Sequence, residues 1–273
     1  MKHFFSLLLV CVFAIGYGQD FSVTFSSGKT LYFTITSSNT VKIAPGKHVI
    51  SQDFWGNNYG YSFSGSLTIP ATVTDNGVTY KVTEVDHLAK TNITSVKIPN
   101  TVTKISSYAF ANCTELASVT LPSSLDFIGN GAFYCCTKLS SINFPENLQK
   151  IGHGGNGDGA FARSGLKSII IPGHVKDVGW NTFYGCNNLT YAEMKEGVSS
   201  LGSATFSGCH RLRTIKLPKS LLPFFKEYNW GRGLALVDVF SDCPSLEQII
   251  VPNGTIEEYS RYLNKYKHLL VEE

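Results

Sequence analysis

Near its middle the chain reads Ile128-Gly129-Asn130-Gly131-Ala132-Phe133-Tyr134-Cys135-Cys136-Thr137-Lys138-Leu139-Ser140-Ser141-Ile142-Asn143-Phe144-Pro145, and this pattern returns with a step of 23 residues. One step earlier the same residue types stand at Phe110, Cys113 and Leu116, and later at Phe183 and Phe206. A fixed period of this size is typical of a repeat protein, in which each unit buries its apolar face only against its neighbours. We therefore expect function on the surface of a stack and not in a deep catalytic pocket.

The residue that follows each apolar strand segment gives the register of the repeat. It falls at the following positions: Pro70, Pro99, Pro122, Pro145, Pro172, Lys195, Pro218 and Pro252. The steps are 29, 23, 23, 27, 23, 23 and 34 residues, so the long steps are the 23-residue unit with an insertion. The 27-residue step carries the Gly-rich segment 153–159, and the 34-residue step carries about eleven extra residues around 224–236. Insertions in a solenoid lie in loops on one face, which is often the binding face.

The physics of one unit can be read from its residue types. The segment Leu-x-x-Ile-x-Leu-Pro predicts a short strand with alternate residues pointing inward, and its proline ends the strand. Glycines at 129, 152, 179 and 202 mark places where the coil turns. One phenylalanine per coil should stack on the next at about 4.8 Å, the spacing of a sheet. These phenylalanines are Phe110, Phe133, Phe161, Phe183, Phe206 and Phe240.

The combined pattern Leu-Pro-x-x-Leu-x-x-Ile-Gly-x-x-Ala-Phe-x-x-Cys-x-x-Leu-x-x-Ile resembles the BspA-type leucine-rich repeat over about residues 67–252. The resemblance implies a β-rich (α+β) repeat solenoid, a right-handed stack with a parallel strand ladder. It also implies a secreted or surface protein of bacteria, with adhesion or binding of extracellular proteins as its role. The chain departs from the pattern at Ser164, where the cysteine is missing, and at Lys195, where proline is missing.

The order of segments predicts four parts. Residues 1–18 resemble a signal peptide, with an apolar run from Phe4 to Ile15 that is too short to span a bilayer. Lipid attachment at Cys11 remains an alternative, although the apolar run continues past it. Apolar and polar residues alternate at Phe21–Phe25, Leu31–Thr36 and Thr40–Ala44, which predicts an N-terminal β cap at 19–66, followed by about seven repeats at 67–252. Residues 253–273 predict a C-terminal helical cap, which Thr255 and Glu258 would begin as a capping box.

The cysteines follow the repeat. Five of them lie three residues after a spine phenylalanine, namely Cys113, Cys136, Cys186, Cys209 and Cys243. Their periodic placement favours buried free thiols, which behave as small hydrophobic residues. Secretion also permits disulfides between neighbouring coils, such as Cys113 with Cys136, and this alternative stays open.

Charge and motifs exclude several classes of function. The formal net charge is +3 with 16% charged residues, and no run of lysine and arginine suggests a nucleic-acid interface. No histidine or cysteine spacing indicates a metal site, and no nucleophile motif or carboxylate pair indicates catalysis. We expect no cofactor and no enzyme activity. The segment 153–159 contains one Gly/Asp motif, and a surface loop explains it better than an ion site.

Two surfaces are candidates for ligand binding. The late insertion carries Phe224, Phe225, Tyr228, Trp230 and Arg232, whose aromatic side chains either form a binding site or pack back on the coil. Outward strand positions would form an exposed strip along one sheet, or they are merely solvated strand residues. The strip consists of Lys97, Thr120, Asn143, Ser168, Ile170, Tyr191, Glu193 and Lys216.

These observations predict a secreted or surface-displayed recognition scaffold that binds an extracellular protein. One alternative is a carbohydrate-binding accessory protein of the cell surface, for which an exposed Trp or Tyr ring beside Asn, Asp or Arg would be diagnostic. Another is a structural spacer without its own ligand. The sequence gives no indication of oligomeric state.

Overall fold

The computed structural model describes residues 20–45, 61–62, 64–153, 158–228 and 239–273, with the side chain of Tyr228 excepted. The predicted signal peptide, the insertion residues Trp230 and Arg232, and most of the Gly-rich segment lie outside these residues. So does a large part of the predicted N-terminal β cap, at 46–60.

Strands dominate the described residues. They are β1 (Asp20–Thr24), β2 (Thr30–Ser37), β3 (Thr40–Ile43), β4 (Ser64–Thr68), β5 (Thr72–Asp75), β6 (Val78–Val85), β7 (Asn92–Lys97), β8 (Lys104–Ile105), β9 (Ser118–Thr120), β10 (Phe127–Ile128), β11 (Lys150–Ile151), β12 (Ser168–Ile171), β13 (Asp177–Val178), β14 (Tyr191–Met194), β15 (Ser200–Leu201), β16 (Thr214–Lys216), β17 (Gln248–Val251) and β18 (Leu270–Glu272). The helices are α1 (Leu222–Tyr228) and α2 (Ile256–Tyr262), with 3-10 helices at Lys219–Leu221 and Asn264–Leu269.

Parallel ladders connect each coil to the next, as the repeat predicts. One ladder runs through the two-residue strands in the order β8-β10-β11-β13-β15, and a second runs through β12-β14-β16-β17-β18. A third contains β4, β7 and β9. The protein is therefore β-rich with few helices. At its N-terminal side, β1, β2 and β3 form an antiparallel meander that joins the first ladder through β6.

The predicted phenylalanine spine is confirmed. The six rings stack in chain order with centroid separations of 5.3, 5.1, 5.7, 5.3 and 6.2 Å and interplanar angles of 7–22°. The first five rings have no exposed surface, and Phe240 is 2% exposed. The amides of the first five spine residues also donate to carbonyls of the following coil, such as Phe183 to Thr205 at 2.8 Å. One side-chain column and one backbone ladder thus hold successive coils together.

The glycines at the turns are required mainly by close packing. A Cβ on Gly129 would lie 2.5 Å from the backbone nitrogen of Ser107, and one on Gly202 would lie 2.3 Å from that of Trp180. Real Cβ atoms do not approach backbone this closely. Of the four glycines predicted at the turns, Gly152 alone has positive φ, at 74°. The repeated glycine therefore lets one coil lie directly on the backbone of its neighbour.

The six cysteines in the described residues are free thiols, as the periodic placement of five of them predicts. Each repeat thiol lies 3.1–3.2 Å from a backbone carbonyl of the preceding coil; for Cys136, Cys186, Cys209 and Cys243 it is that of the spine phenylalanine. Thr91 and Ser164 occupy the same position in two coils, and their hydroxyls contact the thiols of Cys113 and Cys186. This position of the repeat thus favours a small side chain that can form a hydrogen bond, because such a side chain satisfies a carbonyl at the edge of the core.

One coil departs from the predicted continuous strand ladder. Residues Ser140–Phe144 form no strand, so the ladder of β4, β7 and β9 is separate from that of β12 to β18. The break coincides with a turn between Phe161 and Leu166 that is one residue shorter than its counterparts. Gly165 within it lies so close to the neighbouring coil that a Cβ would be 2.0 Å from the carbonyl oxygen of Thr137.

The C-terminal residues extend the second ladder and pack a helix beside it. The predicted capping box is wrong, because the Thr255 hydroxyl donates to the carbonyl of Pro252 at 2.6 Å. The carboxylate of Glu272 instead accepts the amides of Gly254 and Ile256 at 2.8 and 3.2 Å, next to the start of α2. Tyr259 of α2 is fully buried, and its hydroxyl donates to Pro218 at 2.6 Å.

Candidate functional site

The second ladder aligns outward side chains in a row across five strands. The pairing Ile170↔Glu193↔Lys216↔Ile250↔Val271 places these residues side by side, and we call this row the strand face. Ile170 and Val271, at its two ends, are 52% and 43% exposed. At a strand spacing of about 4.8 Å the row is roughly 19 Å long.

Glu193 organises the middle of the strand face. Lys195 Nζ lies 2.7 Å and Lys216 Nζ lies 3.8 Å from its carboxylate, and the Tyr191 hydroxyl donates to it at 3.1 Å. These neighbours cover Glu193, which is 6% exposed although it points outward. Burial raises the pKa of this carboxyl, but the hydrogen bonds from Lys195 and Tyr191 outweigh burial and hold the pKa below its usual value.

The other predicted strip residues do not join this row. Lys97 and Thr120 are exposed on the separate ladder of β7 and β9, and Asn143 is exposed in the segment that forms no strand. Ser168 is exposed and Tyr191 half-buried in the neighbouring outward row of the second ladder. The prediction of one strip along a single sheet is therefore wrong, because the missing strand at 140–144 divides it.

The insertion is only partly a surface feature. Phe225 of α1 is 1% exposed and packs on Tyr259 and Tyr262 at ring separations of 5.8 and 6.0 Å, so its predicted role as an exposed ligand contact is wrong. Phe224 is half-buried and borders a shallow hollow that Ser199, Ser220, Pro223, Lys226 and Glu227 also line. Tyr228 ends α1, and Trp230 and Arg232 lie outside the described residues.

A second row of residues is defined by backbone conformation. The residue two positions after each spine phenylalanine is left-handed, with φ between 55° and 71°, and we call these residues the left-handed row. The row consists of Asn112, Cys135, Arg163, Gly185, Gly208 and Asp242. From Asn112 to Gly208, each amide donates to a carbonyl of the next coil at 2.7–3.0 Å, so the ladder does not depend on the side chain.

Two consecutive glycines in this row leave a groove on the side of the protein. Its volume is about 550 Å³, and we call it the side groove. The groove is lined by Arg163, Tyr184, Asn187, Asn188, His210 and Asp242, over a floor that includes Gly185 and Gly208. Tyr184 is 38% exposed, and its ring edge lies 3.9 Å from where a Cβ on Gly208 would be. Absent side chains at the two glycines therefore create the groove.

Charges lie at the two ends of the side groove. At one end the Arg163 guanidinium donates to the Tyr134 hydroxyl at 3.2 Å and lies 5.9 Å from that ring, and no carboxylate among the described residues pairs with it. At the other end His210 Nε2 contacts Asp242 Oδ2 at 2.8 Å. The cavity thus combines a guanidinium, an exposed aromatic ring and two side-chain amides.

Several of these surface residues were not predicted from the sequence. Val271 joins the strand face because the C-terminal segment adds a fifth strand, where a terminal helix was predicted. The side groove was missed because its residue types do not repeat. Its available signal was the pair Gly185 and Gly208, which fall 23 residues apart at a position where other coils carry larger residues.

Metal and thiol chemistry have no visible support in the part of the chain that the structure describes. No group of three or more His, Cys, Asp and Glu residues in those ranges is arranged to hold a metal ion. Burial raises the pKa of Cys186 to about 11 and that of Cys209 well above its usual value. These thiols therefore have a structural role in the coil and are poor nucleophiles.

Comparison with known proteins agrees with this architecture. The family profile described as "BspA type Leucine rich repeat region (6 copies)" matches residues 84–154 and 156–228, just over half of the chain. A leucine-rich repeat protein from Bacteroides ovatus is 26% identical with a TM-score of 0.59; the match covers 81% of this chain and 53% of that one. A leucine-rich repeat protein from T. pallidum is 27% identical with a TM-score of 0.53, over 68% and 79% of the two chains. No curated protein sequence matches the chain.

The ladders, the spine and these relatives define a leucine-rich-repeat protein. The chain belongs to the BspA-type leucine-rich-repeat family, as the sequence resemblance indicated. Proteins of this class are generally binding scaffolds and not enzymes, and they typically bind other proteins. The chain spans about half the length of the B. ovatus protein it matches. In the described residues, no helix is long and apolar enough to cross a membrane.

Proposed function

We propose that this protein is a secreted or surface-displayed scaffold that binds an extracellular protein through the strand face. The apolar N-terminal run at 1–18 supports export. The proposal includes the right-handed solenoid, the terminal caps and the division of the chain at residues 19–66, 67–252 and 253–273. An adhesive role follows from the family resemblance.

The main support for this proposal is that two aliphatic side chains are exposed at the two ends of the strand face. Ile170 and Val271 leave about half of their surfaces in water, and half-buried Ile250 lies between them. Single exposed hydrophobic residues need no explanation, but several in one row are typical of an interaction surface. Between them the Glu193 network is already held by hydrogen bonds, so a partner would meet a preorganised polar centre with apolar flanks.

The chemistry of this row favours a protein as the partner. Aliphatic side chains offer area to another apolar surface but no flat ring for a sugar to stack on. Tyr191, the ring beside this row, is half-buried and donates its hydroxyl to Glu193. A protein surface with apolar residues and a charged rim fits both features.

An array of extracellular matrix proteins, probed with the whole chain, tests the proposal. We expect binding to at least one protein, weakened at least tenfold by Ile170→Glu, because burying an unpaired carboxylate opposes association. Val78→Glu is the matched control, since Val78 is 43% exposed on β6, outside the strand face. The proposal fails if no protein binds the folded chain, or if both variants weaken binding equally.

A further inference from the structure

The side groove differs from the strand face in shape and chemistry. The residues that line it have no part in the proposed function. The two surfaces lie on different parts of each coil, one on outward strand positions and one on the turn after the spine phenylalanine. A ligand for the groove must be narrow enough to lie along the coils. It must also meet a cation, an aromatic ring and amide groups in succession.

The floor of the groove has the form of a trough along the stack. From Arg163 through the two glycines to Asp242, the neighbouring spine rings are spaced at 5.7, 5.3 and 6.2 Å, which makes the trough about 17 Å long. Elsewhere the same row carries Asn112 and Cys135, so a side chain is tolerated in this conformation. Glycine at two consecutive coils is therefore not needed for the backbone conformation alone. It also leaves the trough empty of side chains.

Tyr184 provides a stacking platform inside the trough. The edge of its ring lies 3.9 Å from where a Cβ on Gly208 would be, and 38% of the residue is exposed to solvent. The electron-rich face of an aromatic ring attracts polarised C–H groups, which the apolar face of a pyranose ring presents. Asn187 and Asn188, both exposed beside it, carry donors and acceptors that suit sugar hydroxyls.

Arg163 determines which saccharide fits best. Its side-chain hydrogen bond goes to the phenol of Tyr134, and no carboxylate in the described ranges forms an ion pair with it. A guanidinium with free N–H groups binds a carboxylate in bidentate geometry more strongly than it binds a hydroxyl. A saccharide with carboxylates would therefore be preferred over a neutral one, and its carboxylate would lie at the end of the trough opposite Asp242.

We propose that the side groove is a binding site for an acidic oligosaccharide of the uronic-acid class. A sugar ring stacks on Tyr184, a carboxylate pairs with Arg163, and the amides of Asn187 and Asn188 bind hydroxyl groups. The His210–Asp242 pair lies at the far end and offers its remaining polar atoms to further hydroxyls. This site is independent of the strand face and of its protein partner.

A printed array of uronic-acid and neutral oligosaccharides, probed with the whole chain, tests this proposal. We expect binding to acidic members and at least tenfold weaker binding to carboxyl-reduced versions of the same chains. Arg163→Gln and Tyr184→Ala should each weaken binding at least tenfold, while Tyr184→Phe retains it because the ring remains. Gly185→Asn should also weaken binding, since it fills the trough with a residue that the left-handed row accepts at Asn112.

Two controls make the result decisive. Trp180→Ala removes a ring that is 44% exposed and packs on Gly202 outside the groove, and it should leave binding unchanged. Thermal unfolding of every variant shows whether lost binding reflects lost structure. The proposal is overturned if the folded chain binds no acidic oligosaccharide, if neutral and acidic chains bind equally, or if a protein competes for the groove residues instead.

Discussion

Replacing Phe183 by alanine would test the contribution of the spine to stability. Its ring is fully buried between Phe161 at 5.7 Å and Phe206 at 5.3 Å, with interplanar angles of 12° and 15°. Loss of a buried phenylalanine side chain costs about 3–5 kcal/mol. Each aromatic pair contributes about 0.5–1.5 kcal/mol beyond its buried area. Phe183→Leu keeps most of the apolar volume but loses both aromatic pairs. We therefore expect it to lower the free energy of unfolding by about 1–3 kcal/mol.

Urea unfolding followed by circular dichroism measures these differences. Tyr184→Phe is the matched control, because it keeps the neighbouring ring, which is 38% exposed, and should change stability by about 0.5 kcal/mol or less. The order alanine, then leucine, then the Tyr184 control is the expected ranking of cost. A Phe183→Ala variant as stable as the control would refute the spine as the core of the fold. A leucine variant as stable as wild type would refute the contribution of stacking.

Three further predictions concern close packing, pH and thiol reactivity. Gly165→Ala should destabilise the chain more than Gly28→Ala in urea unfolding. A Cβ at 165 would lie 2.0 Å from a carbonyl oxygen, whereas no atom lies within 4 Å of a Cβ at 28. Equal losses of stability would contradict the packing explanation. The pKa of Glu193 in the folded chain is below its ordinary 4.5, so its carboxylate contributes stability that is complete above pH 4.5 and is lost as the pH falls through the lowered pKa. Glu193→Gln should therefore flatten the acid limb of the stability curve, and an unchanged limb would argue against the ion-pair network. Because burial raises the pKa of Cys186 to about 11, iodoacetamide at about pH 8 should label half-exposed Cys135 in the native chain, and mass spectrometry should find Cys186 labelled only after unfolding.

The features that were predictable from sequence are those that the repeat imposes on every coil. A residue type that returns each 23 positions occupies one environment, so Phe133 and Cys136 could be assigned to the core from the pattern alone. The parallel ladders follow from the same period. This inference needs no knowledge of any particular contact, because neighbouring coils supply equivalent partners.

The features that were missed occur where one coil differs from its neighbours. The single-residue deletion before Leu166 is visible in the sequence, but its effect on pairing at 140–144 depends on how tightly Gly165 approaches the preceding coil. Phe225 was named as a candidate ligand contact, with packing on the coil as the alternative, because the aromatic composition of the insertion alone does not separate the two. The spacing of Leu221, Leu222 and Phe225 fits one inward face of a helix and would have indicated burial.

In the left-handed row, the backbone of a residue contributes to the fold and its side chain contributes to the surface. From Asn112 to Gly208 its amides hold the coils together whatever side chain is attached, and asparagine, cysteine, arginine and glycine all occupy these positions. Substitutions at this position can therefore accumulate one coil at a time without changing the fold. A family built on such a backbone can diversify its surfaces while its core stays the same, and a protein engineer could use the same column as a ready-made library.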